Sequence, residues 1–188
     1  MDVRTKVSSI YGDWVERFGT IWKAQIDQLK SKFGTVIEEV RWPGEDMTDV
    51  PVIFVALGSI VSVLEFLRSE TGCEYDFLAD LTATDEGSDP RFEVVYQLLS
   101  MKHGARLRLK VRVAEGVEVP SAVAVWPGAD WAEREIWDMF GIRFSGHPNL
   151  RRILMDERWE GHPLRKDYPL RGYQIFPTAT EIDESQLR

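Results

Sequence analysis

The chain has 188 residues, 44% of them hydrophobic and 29% charged, with a formal net charge of −8. That balance describes one globular domain with a sizeable core, excludes a disordered or fibrous chain, and weighs against a nucleic-acid binder. A single cysteine, Cys73, excludes an internal disulfide and a four-cysteine iron–sulfur site supplied by this chain alone, and points to a reducing compartment.

Taken in chain order, the apolar residues Trp14, Val15, Phe18, Ile21, Trp22, Ile26, Leu29 and Phe33 recur at helical spacing. Gly19 is expected to divide this helix and Gly34 to stop it. TVIEEVRW reads as a strand, RWPGEDMTD as a turn, VPVIFVAL as a β-branched strand and SIVSVLEFLRSETG as a helix ending at Gly72. The longest uncharged run, Val50 to Leu64, holds Pro51 and Gly58 and falls short of the roughly 20 apolar residues of a spanning helix. The N-terminal MDVRTKVSSIYGDW carries no signal-peptide pattern.

EYDFLADLTATDEGSDP reads as a short helical or extended piece closing in an acidic turn. RFEVVYQLLS and ARLRLKVRVA form an antiparallel hairpin. In its second strand Leu107, Leu109, Val111 and Val113 alternate with Arg106, Arg108, Lys110 and Arg112, one face for the core and a row of cations on the other. The row reads first as a solvated face, with anion binding as the alternative. AVAVWPG reads as a further strand. The order α-β-β-α-β-β-β-α predicts a single α+β domain with a mixed or mainly antiparallel sheet and packed helices.

In WPGADWAEREIWDMFGI, Asp130 reads as an N-cap completed by Glu133, with Gly141 as a left-handed stop. Ala132, Ile136, Met139 and Phe140 form the core stripe; Trp131, Glu135, Asp138 and Ile142 form another. Residues 1–140 are assigned to the α+β domain, and 141–188 to an extended, Pro/Gly-rich interaction segment of the same structural unit. One helical turn is expected near Leu150–Met155, and the segment is expected to gain part of its order on docking. Charge changes with it: residues 1–140 carry 15 Lys/Arg against 24 Asp/Glu, whereas residues 141–173 carry 7 against 4.

No G-x-G-x-x-G, P-loop, C-x-x-C, H-E-x-x-H or G-x-S-x-G is present. Asp76, Asp80 and Asp85 match no calcium loop and read as caps, turns and surface charge. Two of three histidines, His147 and His162, sit in the repeated tripeptide Gly-His-Pro. Proline pushes the histidine before it towards extended geometry and glycine permits a sharp turn, so each tripeptide is a rigid corner presenting an imidazole. Metal ligation and acid–base catalysis stand as minority readings beside hydrogen bonding at an interface.

WAEREIWDMFGIRFSGHPNLRRIL followed by EGHPLRKDYPL closely resembles the defining region of the C-type (30-kDa) subunit family of NADH:quinone oxidoreductase, respiratory complex I. Glu133, Arg134, Glu135, Asp138, Met139, Phe140, His147, Arg151, Ile153 and Leu154 fill the family pattern, and FLADLTATD, RFEVVYQLLS and RLRLKVRV resemble its upstream regions. Asn149 stands where an aspartate is common, the sequence after Gly172 departs from the usual tail, and residues 1–45 match only in helical character. The resemblance implies a non-catalytic scaffold subunit of the hydrophilic arm with no flavin, cluster, metal or quinone ligand of its own. Its implied place is against the D-type subunit beside the quinone site and the iron–sulfur subunits of B, I and G type, peripheral on the cytoplasmic side of the inner membrane, with neither nucleic acid nor a membrane span. Related membrane-bound hydrogenases and the photosynthetic NDH complex contain equivalent subunits, an alternative assignment. On this reading Glu133, Arg134, Glu135 and Asp138 pair with the partner or lock the base of the C-terminal segment. His147, Arg151, Arg152, His162, Arg165 and Lys166 lie along that partner. An enzyme centred on His147, His162 and Glu135, or an anion-binding module using the cation row, are the competing classes.

Overall fold

Four aliphatic residues alternating with four cations make the Arg106–Val113 strand the spine of a sheet with one apolar and one charged face. The computed structural model describes residues 3–44 and 48–173. In order they form α1 (Val3–Phe33), β1 (Ile37–Arg41), β2 (Val52–Val55), α2 (Ile60–Ser69), β3 (Phe77–Asp85) and β4 (Phe92–Leu99). Then follow β5 (Arg106–Val113), β6 (Val119–Pro120), α3 (Ala129–Phe140) and β7 (Phe144–Ser145). The five-stranded sheet runs β1-β2-β5-β4-β3 and is antiparallel except where β2 meets β5. This is the expected single α+β domain with a mixed sheet.

Leu107, Leu109, Val111 and Val113 turn inward with Val94, Tyr96 and Leu98 of β4 and Leu81 and Ala83 of β3. Helix α2 covers them with Ile60, Val63, Leu64 and Leu67, while α1 adds Ile26 and Leu29 and α3 adds Ile136, Met139 and Phe140. A second cluster, Phe18, Trp22, Val50 and Ala105, holds α1 at the sheet's end, where the Trp22 indole donates to the Arg106 carbonyl at 2.9 Å. Gln25 ties α1 to the α2–β3 turn by donating to the Gly72 carbonyl and accepting the Tyr75 hydroxyl.

On the charged face, Arg108, Lys110 and Arg112 meet carboxylates of the chain itself, namely Asp49, Glu93, and Glu38 with Glu39. Phe54 lies buried beneath them, with the Arg112 guanidinium 3.9 Å from its ring centroid. The packed cation covers apolar surface as well as balancing charge.

Three local expectations are corrected. α1 runs unbroken through Gly19, because Phe18, Trp22, Ile26 and Leu29 on both sides are buried and outweigh a single glycine penalty of about 1 kcal/mol. The piece after Tyr75 takes the extended of its two expected forms, as the nine-residue edge strand β3. AVAVWPG is a turn, in which the Ala122 carbonyl accepts the Val125 and Trp126 amides, and the strand falls instead at Val119–Pro120 beside Phe144–Ser145. Leu150–Met155 forms no helical turn, since its amides are taken by a side chain of α3. The Arg41–Asp49 turn falls partly, and residues 174–188 of the C-terminal segment wholly, outside the described residues.

An alanine Cβ at Gly19 would meet Val15 Cγ1 at 3.5 Å, an ordinary contact. Gly19→Ala should therefore stabilise the chain by about 0.5–1 kcal/mol, raising Tm by about 1–4 °C in thermal unfolding. A lowered Tm would mean that α1 needs a break there.

Candidate functional site

Helix α3 carries Glu133, Arg134, Glu135 and Asp138 within two turns, and its stop determines what they meet. Gly141 takes φ +80 at the C-terminus, and a Cβ there would lie 2.7 Å from the His162 ring. Only glycine supplies both the left-handed turn and the room for the imidazole. The chain then returns along the helix. The last turn of α3 leaves carbonyls without intrahelical donors, and the returning segment supplies them. His162 Nδ1 donates to the Asp138 carbonyl at 3.0 Å, and the Leu164 amide donates to the Met139 carbonyl at 3.0 Å.

Asp138 is fully buried. One carboxylate oxygen accepts the consecutive amides of Ile153, Leu154 and Met155 at 3.0, 2.9 and 2.9 Å, and the other accepts the Arg152 guanidinium. Burial alone would raise its pKa. The Met155 amide, the Arg152 guanidinium and the Ile153 and Leu154 amides overcome that and hold it below the ordinary carboxylate value. Arg152 also donates to the Trp159 and Gly161 carbonyls and lies over the Trp137 ring, so it is anchored on three sides.

Arg134 donates to the Arg151 carbonyl at 3.1 Å and the Arg152 carbonyl at 2.9 Å. Glu133 does not close a capping box. Gly128 is the N-cap, with no side-chain cap bond, and Glu133 points inward, fully buried, to accept the Ser121 hydroxyl at 2.7 Å and the Ala122 amide at 2.6 Å. Burial pushes its pKa up, against the Ser121 and Ala122 hydrogen bonds. The His147 side chain is also fully buried, with Nε2 3.2 Å from the Asp130 carbonyl and Nδ1 accepting the Asn149 amide. Burial lowers the pKa of the His162 imidazole.

Further along, the segment is clasped to the far end of the sheet. Asp85, on the inner face of β3, accepts the Lys166 amide at 2.9 Å and the Arg91 guanidinium. Burial works against ionisation, but Arg91 and the Lys166 and Gly87 amides bring the Asp85 pKa down to about 2. Arg91 also meets Asp167, and Arg165 meets Glu115.

Of the residues singled out from the sequence, Glu133, Arg134, Asp138, His147, Arg152, His162 and Arg165 thus have partners within the chain, while Glu135, Arg151 and Lys166 are exposed. Sequence reasoning missed Asp85, Arg91, Glu115 and Asp167. Alternation along β3 put Asp85 on the inner face with Leu81 and Ala83, a signal that it was not surface charge. Likewise Glu133 shares the 129–133–136–140 stripe of buried residues. Among the described residues no three His, Cys, Asp or Glu side chains converge to hold a metal ion, and no helix is long and apolar enough to cross a membrane.

A helix whose buried charges fasten the following segment is the framework on which a family of respiratory-complex subunits can be recognised. The family model described as "Respiratory-chain NADH dehydrogenase, 30 Kd subunit" matches residues 53–174, and the chain belongs to this family. The NADH-quinone oxidoreductase C subunit of Bartonella quintana is 48% identical over 77% of this chain and 70% of its own length. That of Brucella ovis is 47% identical over the same shares. A chain in the structure of the membrane-bound sulfane sulfur reductase, an archaeal respiratory membrane complex, has a similar fold. Its TM-score is 0.67 at 20% identity, over 86% of this chain and 98% of that one. The match and these relatives make the chain a C-type, 30-kDa-family subunit of complex I, a component of respiratory electron transport.

Asp138 and Asp85 both titrate below the unfolded value of about 3.9. The stability they contribute is fully present above that value and is lost as pH falls through the folded pKa values, about 2 for Asp85. Exchange protection of the Ile153–Met155 amides should hold at about pH 5 and be lost only as pH falls below the ordinary aspartate value of about 3.9. Asp138→Ala should cost roughly 3–5 kcal/mol in denaturant unfolding by leaving Arg152 buried without its partner. Protection that fails instead between about pH 5 and 7, or an Asp138→Ala chain as stable as the parent, would contradict this geometry.

Proposed function

We propose that the chain is a non-catalytic scaffold subunit of the hydrophilic arm of a proton-translocating NADH:quinone oxidoreductase. It docks on the D-type subunit beside the quinone site and contacts the iron–sulfur subunits of B, I and G type, peripherally on the cytoplasmic side of the inner membrane. The observation that carries this reading is the use of the charges on α3. Glu133, Arg134 and Asp138 are spent on holding residues 121–122 and 151–155 in place, not on a pocket for a reacting molecule. Side chains satisfied in this way serve as framework, and the work left to the assembly is to present a fixed surface. Residues 141–173 form that surface, with Arg151 and Lys166 exposed along it, beside Arg143, Arg158 and Arg171, among the cations offered to a partner. The name shared by the relatives favours NADH:quinone oxidoreductase over the hydrogenase and photosynthetic alternatives.

Affinity purification of the tagged full chain from solubilised membranes should bring down a D-type subunit together with iron–sulfur subunits and NADH:quinone activity. Arg134→Glu places a carboxylate against the Arg151 and Arg152 carbonyls. It should leave the sheet domain folded by circular dichroism yet cut the assembled complex on native gels several-fold. Normal complex yield with this variant, or turnover of substrate by the purified chain alone, would overturn the proposal.

A further inference from the structure

One groove of about 490 Å³ lies between α3 and the edge strand β3. It is lined by Leu78, Ala79 and Leu81 of β3, by Gly128, Trp131 and Ala132 at the start of α3, and by Ile153 and Leu154 of the returning chain, which form its walls. Trp131 is 70% exposed and Leu154 60%, large apolar surfaces of the kind that mark a contact site when they are contiguous. The walls are fixed before any partner arrives. Asp138 holds the amides of both Ile153 and Leu154, and the register shift between Leu78 and Asp80 bends the opposite strand at the same place.

The charge in this groove is of one sign. Its lining includes the carboxylates of Asp80 and Glu135 and no cation. Asp80 accepts the Leu81 amide and also borders a neighbouring hollow that contains Arg106 and Arg108. Glu135 is exposed and, among the described residues, has neither a hydrogen bond nor an ion pair. An unanswered carboxylate one turn along the helix from an exposed tryptophan selects a cation, which gains from the charge and from the indole face together.

We propose that this groove receives a segment of a neighbouring subunit bearing an apolar side chain and, within two residues of it, an arginine or lysine. The apolar group packs between Leu78, Ile153 and Leu154, and the cation lies over Trp131 and pairs with Glu135. The inference rests on the chain being one component of a larger assembly and adds the place and chemistry of one contact.

The test places the photo-crosslinker p-benzoylphenylalanine at position 131 of the full chain in the assembled complex and identifies the crosslinked peptide by mass spectrometry after irradiation. The expected product joins position 131 to another subunit at a peptide with a basic residue within two positions of an apolar one. Glu135→Lys should lower its yield about tenfold and Glu135→Gln by less, with the circular dichroism of the isolated chain unchanged. A crosslink to a peptide without a basic residue, to residues 174–188, or to a second copy of this chain would overturn the inference, as would no crosslink from an intact complex. In each of those cases the reading of the chain as a complex I component still stands. A wild-type chain that enters no complex defeats that reading first, and this inference with it.

Discussion

One buried carboxylate organises the chain that returns along α3. Asp138 accepts three consecutive backbone amides and a guanidinium, while its own carbonyl accepts the His162 imidazole. A charge removed from water is tolerated only when such donors replace the lost hydration, and these do so from a segment that has no regular structure to order it. The dependence is mutual. The segment needs the carboxylate to fix its backbone, and the carboxylate needs the segment to remain ionised.

Much follows from this for the surface. Two of the seven cations between residues 141 and 173 are drawn inward: Arg152 is spent on Asp138 and Arg165 on Glu115 and Asp167, while the clasp at Asp85 binds the Lys166 backbone amide. What faces outward is mixed, with Arg143, Arg151, Arg158, Lys166 and Arg171 as cations and Trp131, Leu154, Leu164 and Leu170 among the apolar groups. Such a surface, already shaped, loses little conformational freedom on association. On the proposed scaffold role, a partner would meet one fixed relief.

The sheet was legible in the sequence because burial alternates along β4 and β5, and the hairpin follows from that alternation. The mixed α+β class, α2 and the Gly141 stop were legible for similar local reasons. Less legible were the places where a distant residue decides. Gly19 looked like a break because its penalty is local, whereas the apolar burial that overrides it lies in the sheet's end. AVAVWPG has the composition of a strand, but Glu133 claims the Ala122 amide and bends it. In the site, the residue types and their importance could be read from the motif, but not their direction. Glu133 and Asp138 look alike as acidic helix residues, yet one faces the core and the other the returning chain. The Asp85–Arg91 clasp reaches residues far along the chain, with only the inward register of Asp85 to hint at it.

The central claim, that Asp138 holds the returning segment within the chain itself, is tested most directly by NMR of the isolated protein during acid titration. The amide protons of Ile153, Leu154 and Met155 should lie downfield at neutral pH and shift together, with one common midpoint below the usual aspartate value of about 3.9. Three amides that titrate independently, or that show random-coil shifts at neutral pH, would contradict it.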